Sequence, residues 1–117
     1  MKTSIDHLPP RKQVELRRVV EVIRESFAET VSTRRAERLK NGKILKIILY
    51  GSYARGDWVS DPVGGYFSDY DILVVVNDER LLELGEIWTH VDDRLVREHA
   101  VAKRLSAEVG LIAHTLQ

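Results

Sequence analysis

Two stretches decide the fold: Lys43-Ile44-Leu45-Lys46-Ile47-Ile48-Leu49-Tyr50 running into Gly51-Ser52-Tyr53-Ala54-Arg55-Gly56, and Ser68-Asp69-Tyr70-Asp71 opening onto Ile72-Leu73-Val74-Val75-Val76. Each apolar run is of strand length, rich in branched residues and bounded by turn or polar signals. Both read apolar on two faces, which places Lys43–Tyr50 in the middle of a covered sheet and makes Asp69–Val76 a second strand. The first strand ends in a glycine-serine turn, and the second begins with two carboxylates one residue apart. Side by side, such ends can hold a phosphate chain and a divalent cation.

The carboxylates carry the sharper signal. Along a strand, residues i and i+2 share a face at roughly 6.5–7 Å, so Asp69 and Asp71 converge while Tyr70 points to the other side. Aspartate is depleted in strands, and two of them at the head of an Ile-Leu-Val-Val-Val run call for a chemical reason. Two hard oxygen donors with room for water and phosphate oxygens suit Mg²⁺ or Mn²⁺. A turn cap and a frayed strand end are the plainer alternative. Gly51 permits a sharp turn and close approach of a ligand to the backbone. Ser52 offers a hydroxyl, the amides after it are placed to start a short helix that favours phosphate, and Arg55 can add charge to the same cradle. Neither G-x-x-x-x-G-K-[ST] nor G-x-G-x-x-G occurs, so a P-loop and a dinucleotide-binding turn are excluded.

Outward from this core, residues 1–8 read as a lead-in and Pro9-Pro10 as a helix start. Leu16, Val20, Ile23, Phe27 and Val31, with Val19 beside them, recur at helical spacing toward about Leu39, and Asn41-Gly42 is a helix stop. Residues 57–67, with Pro62 and Gly64-Gly65, form a loop or small hairpin. A second helix is expected from about Asp78 to about Glu98, with a stripe at Leu81, Leu84, Trp88, Val91 and Leu95. Ala107–Leu116 makes a third strand. The order α-β-β-α-β predicts an α/β (α+β) domain, a small mixed sheet with helices packed on one face, spanning 1–117 as a single unit.

Composition narrows the functional classes. With 18 Lys plus Arg against 18 Asp plus Glu, the net charge over 117 residues is zero, which argues against non-specific nucleic-acid binding, where affinity comes from phosphate neutralisation. No cysteine is present, which removes disulfides, zinc thiolates and thiol catalysis. No apolar run approaches the ~20 residues of a membrane span. The N-terminus lacks a signal-peptide core, and a cytoplasmic protein is expected. The four histidines show no metal-ligand spacing, and Asp92-Asp93 read as a solvated helix flank.

Gly-Ser-Tyr-Ala-Arg-Gly-Asp followed by Ser-Asp-Tyr-Asp-Ile-Leu closely resembles the G-S-x-A-R-G … S-D-x-D-[LI] signature of the minimal nucleotidyltransferases, in the polymerase-beta-like superfamily. The resemblance extends from the first strand to the third. It implies a nucleotidyltransferase fold in which Asp69 and Asp71 are catalytic metal ligands for Mg²⁺ or Mn²⁺. Gly51 and Ser52, with Arg55 and Ser68 of the same signature, would contact the nucleotide. ATP is the implied nucleotide substrate, and AMP transfer to a hydroxyl the implied reaction. Relatives of this kind are often paired with a helical HEPN protein or domain, in several cases as an antitoxin that adenylylates the HEPN toxin. A HEPN-type partner is therefore an expectation here.

Two departures bear on mechanism. Eleven residues separate Gly56 from Ser68, more than is usual in the family, and the inserted Trp58, Tyr66 and Phe67 could form a lid, a base-stacking surface or a plain hairpin extension. The family also places a third carboxylate on the following strand. Glu108 is the available acid, as the third catalytic residue, but Gly110 is the other occupant of that register. With Gly110 there, the site keeps two carboxylates and the chain reads as a nucleotide-binding or HEPN-masking module without turnover. A small-molecule (antibiotic) nucleotidyltransferase is a further alternative. An end at His114-Thr115-Leu116-Gln117, just after the last strand, is what the catalytic part of a longer protein would show, and an open last strand favours self-association.

Overall fold

A computed structural model describes residues 5–32, 41–61, 63–64 and 66–116. Helix α1 spans Pro10–Ser32 and starts on a proline whose missing amide has no role in the first turn. Its buried face includes Leu16, Val19, Val22, Ile23, Phe27 and Val31. The expected stripe is thus rotated: Val20 is half-buried and Val22 fully buried. The row 12, 15, 19, 22, 26 follows the 3–4 helical spacing and buries Lys12, Glu15 and Ser26 among the valines. The expected continuation toward Leu39 falls largely on 33–40, outside the described residues.

Strand β1 (Ile44–Tyr50) runs directly into the five-residue helix α2 (Gly51–Arg55). The insertion folds as a hairpin, β2 (Ser60–Asp61) antiparallel to β3 (Tyr66–Phe67). Strand β4 (Tyr70–Val76) follows. Next come a 3₁₀ turn (Glu79–Glu83), helix α3 (Gly85–Ala100) and strand β5 (Val109–Thr115). The second helix expected from the periodicity is therefore two pieces. Asp78 caps the 3₁₀ turn by accepting from the Arg80 amide, and Leu84 leaves helical geometry at φ −89°, ψ 81°. Trp88 Nε1–H bridges the break by donating to the Leu81 carbonyl at 2.9 Å.

The main sheet has the order β1-β4-β5, with β1 antiparallel and β5 parallel to β4. The central position of Lys43–Tyr50 is corrected: β1 is an edge strand, with Leu45 and Lys46 exposed, and β4 is the centre. A parallel neighbour needs a long crossover, and the β4–β5 connection supplies one through α3. Tyr70, Ile72, Val74 and Val76 alternate onto one face of β4 and are all buried in the same core as α1 and α3. Ion pairs tie the two helices, Arg94 to Glu25 at 3.1 Å and to Glu29 at 2.8 Å, and Arg18 to the buried Glu98 at 2.7 Å. Among the described residues, no helix is long and apolar enough to cross a membrane.

Candidate active site

The antiparallel register of β1 and β4 sets Tyr50 opposite Asp71, so the chain leaving β1 turns directly over the start of β4. It turns on Gly51, whose φ of +73° lies in the left-handed region. A Cβ at this position would lie 2.1 Å from Asp71 Oδ2. Glycine is thus required twice, for the backbone angle and for the space that the Asp71 carboxylate fills. Helix α2 then closes within one turn: Gly56, at φ 92°, is its left-handed cap and donates to the Ser52 carbonyl, which also accepts from the Asp57 amide at 3.0 Å. The N-cap Tyr50 makes no side-chain bond to the helix, and the first amides of a helix lack intrahelical partners.

Asp69, exposed, immediately precedes β4, while Asp71 is half-buried within it. Burial pushes the Asp71 carboxyl above its ordinary value, the negative charge of Asp69 pushes it further, and Arg55 pulls it back. These three charges therefore share one field. Arg55 itself is exposed, with its Nε 3.4 Å from Asp57 Oδ2. Two neighbouring carboxylates, one of them partly desolvated, form a donor set that fits a hard divalent cation, whose charge would relieve their repulsion.

Of the other signature residues, Ser68 is engaged locally. Its amide donates to the Val59 carbonyl and its hydroxyl accepts from the Val59 amide, both at 2.8 Å, which pins the two arms of the inserted hairpin together. Trp58 packs its half-buried ring on Tyr53 of α2, with centroids 5.5 Å apart and planes at 13°. That contact favours an anchored hairpin over a free stacking surface. The Tyr66 and Phe67 rings lie outside the described side chains.

The third-carboxylate question turns on β5. Gly110 pairs with Asp71 in the parallel register, and a Cβ there would lie 3.5 Å from Asp71 Oδ1. Glu108 sits one residue ahead of β5, exposed, with its backbone carbonyl accepting from the Tyr70 amide at 2.8 Å. Among the described residues, no third histidine or carboxylate gathers with the pair into a metal-holding group.

Beneath the aspartates lies a polar cluster that the sequence reasoning does not single out. The Tyr70 hydroxyl, on the far side of β4, donates to Glu15 Oε1 at 2.9 Å. The same oxygen accepts from the Ser106 amide at 2.8 Å and the Ser106 hydroxyl at 2.9 Å. Lys12 Nζ donates to Ser106 Oγ at 2.6 Å. Burial, then the hydrogen bond and charge of Glu15, pushes the Tyr70 hydroxyl well above the ordinary tyrosine range. The available signal is the 12-15-19-22-26 helical row, which places a glutamate in line with two core valines. The lead-in is also part of the site's frame: Leu8 is buried, and His7 Nε2–H donates to the Tyr53 carbonyl at 2.7 Å.

No curated protein and no solved structure gives a match to this chain. A family model, described as polymerase beta, nucleotidyltransferase, matches residues 36–117, well over half of the sequence. That segment carries α2, both aspartates and the whole three-stranded sheet. The chain therefore belongs to the polymerase beta nucleotidyltransferase family.

Proposed function

We propose that the chain transfers AMP from ATP to a hydroxyl on a protein acceptor, with pyrophosphate as the leaving group. One observation carries this reading: the Asp71 carboxylate sits against Gly51 at the head of α2, with Asp69 beside it in the same field. The Gly51-Ser52 amides, free of intrahelical partners, suit the phosphate oxygens, and Arg55 adds positive charge at the rim. Mg²⁺ or Mn²⁺ held by Asp69 and Asp71 would neutralise the charge developing on the transferred phosphate. The acceptor oxygen forms a bond to the α-phosphorus as the bond to pyrophosphate breaks. Its proton needs a nearby base, for which Glu108 is the candidate, one residue ahead of β5 with its carbonyl accepting from the Tyr70 amide. A HEPN-type helical protein as acceptor rests on the motif resemblance. The test is label transfer from α-labelled ATP to such a protein. The Asp69→Asn, Asp71→Asn double variant should abolish it, and surviving transfer would refute the mechanism.

Gly110 favours a second reading. Without a carboxylate at the position facing Asp71, the site would bind nucleotide and partner without turnover. ATP binding by calorimetry, with no label transfer from the wild-type protein under any divalent cation, would select it.

A further inference from the structure

We propose that Glu15, on α1, is a positioning residue for the Asp69–Asp71 pair, acting through the hydroxyl of Tyr70; this rests on the metal-binding role proposed above. Tyr70 is the one residue between the two aspartates, so whatever holds its side chain holds the backbone that presents them. Its ring is fully buried and its hydroxyl is tied to Glu15 Oε1 at 2.9 Å. That oxygen also takes the amide and hydroxyl of Ser106, at the approach to β5. A single carboxylate oxygen thus joins the site ends of β4 and β5, alongside the backbone bond from the Tyr70 amide to the Glu108 carbonyl. The third piece of the site is linked as well. The Tyr70 ring meets the Tyr53 ring of α2 at 4.4 Å, and Lys12 Nζ lies over both, 5.5 and 5.8 Å from their centroids.

Packing alone does not explain this cluster. Val19 and Val22 occupy the same helical row, and an apolar residue at position 15 would fill the core without the cost of desolvating a carboxylate. The Tyr70–Glu15–Ser106–Lys12 network contributes geometry in that place, since its bonds are directional where apolar contact is not. Partners that orient metal ligands from behind typically change affinity by about 10–100-fold when removed. The indirect path through the backbone puts Tyr70 at the low end of that range.

The experiment uses Mn²⁺ alone as probe, followed by its paramagnetic resonance signal in titrations of the full chain, with circular dichroism to verify the fold. Tyr70→Phe keeps the ring and removes only the hydroxyl; it should bind Mn²⁺ about tenfold more weakly while remaining folded. Glu15→Gln keeps an acceptor oxygen for the three donors and should bind Mn²⁺ close to the wild-type level, which a role for the charge itself would not allow. If Tyr70→Phe did not fold, Ser106→Ala carries the same expectation from the β5 side. Wild-type affinity in a folded Tyr70→Phe overturns this inference alone. Absence of Mn²⁺ binding by the wild type overturns both it and the metal-dependent reading.

Discussion

Replacing Gly51 by alanine tests the core of the site at the level of single atoms. The substitution meets two separate penalties. A left-handed φ of +73° costs a residue with a Cβ about 1–2 kcal/mol. The new Cβ would also lie 2.1 Å from Asp71 Oδ2 and 3.0 Å from its Cγ, so the carboxylate must swing aside by roughly 1 Å, a misplacement able to cost about 10²-fold in rate. The backbone penalty alone corresponds to a fall of about 4–10 °C in Tm for a domain of this size. Label transfer from ATP should fall about a hundredfold at temperatures where the variant is fully folded. A double-mutant cycle separates the two penalties. In an Asp71→Ala background the carboxylate is gone and only Cβ remains, at 3.2 Å, so Gly51→Ala should there cost little beyond the φ penalty. An equal Tm loss in both backgrounds, or an active Gly51→Ala enzyme, would refute the account of Asp71 seated against Gly51.

Gly110→Asp places a carboxylate on the strand position facing Asp71, where the Cβ itself meets nothing closer than 3.5 Å. It should add a second Mn²⁺ per chain in titrations and raise label transfer, and an unchanged metal stoichiometry would show that the position is not a ligand site. Glu98 is buried, accepts from Arg18 at 2.7 and 3.1 Å and from Arg104 at 3.0 Å, and its carboxyl is held below the ordinary glutamate range, chiefly by the Arg18 hydrogen bond. A depressed folded value makes its stabilisation complete above the ordinary glutamate pKa and lost as pH falls through the folded one. Glu98→Gln should therefore cost about 2 kcal/mol at neutral pH, with the gap to wild type closing in acid, as followed by urea denaturation across pH.

Much of the local chemistry is legible along the chain. Asp69 and Asp71 are read from a residue type that strands avoid, Gly51 and Ser52 from a turn at the end of an apolar strand, and the structure brings Gly51 and Asp71 into contact. The short helix expected from the amides after Ser52 is present, and of the loop or small hairpin expected over 57–67 from Pro62 and Gly64-Gly65, the structure has the hairpin. The edge position of β1 was not legible. An apolar run of strand length reads the same whether its second neighbour exists or not, and among the described residues β1 pairs with β4 alone. The break at Leu84 is hidden for a similar reason, because Leu81, Trp88, Val91 and Leu95 keep one face across it. The bonds of the Ser68 amide and hydroxyl to Val59, which pin the hairpin, are likewise not legible in its place in the signature.

Sequence by itself determined which residues could do chemistry here: two acids too costly to open a strand without cause, a glycine where the chain must turn left-handed, and a motif shared with nucleotidyltransferases. Tertiary structure decided what those residues meet. The facing of Asp71 by Gly110, the seating of its carboxylate on Gly51, and the tether of Tyr70 to Glu15 are contacts between residues 20 or more positions apart, the last at a separation of 55. Strand register and helix rotation set such contacts, and both follow from how the whole core packs rather than from any local run of residues.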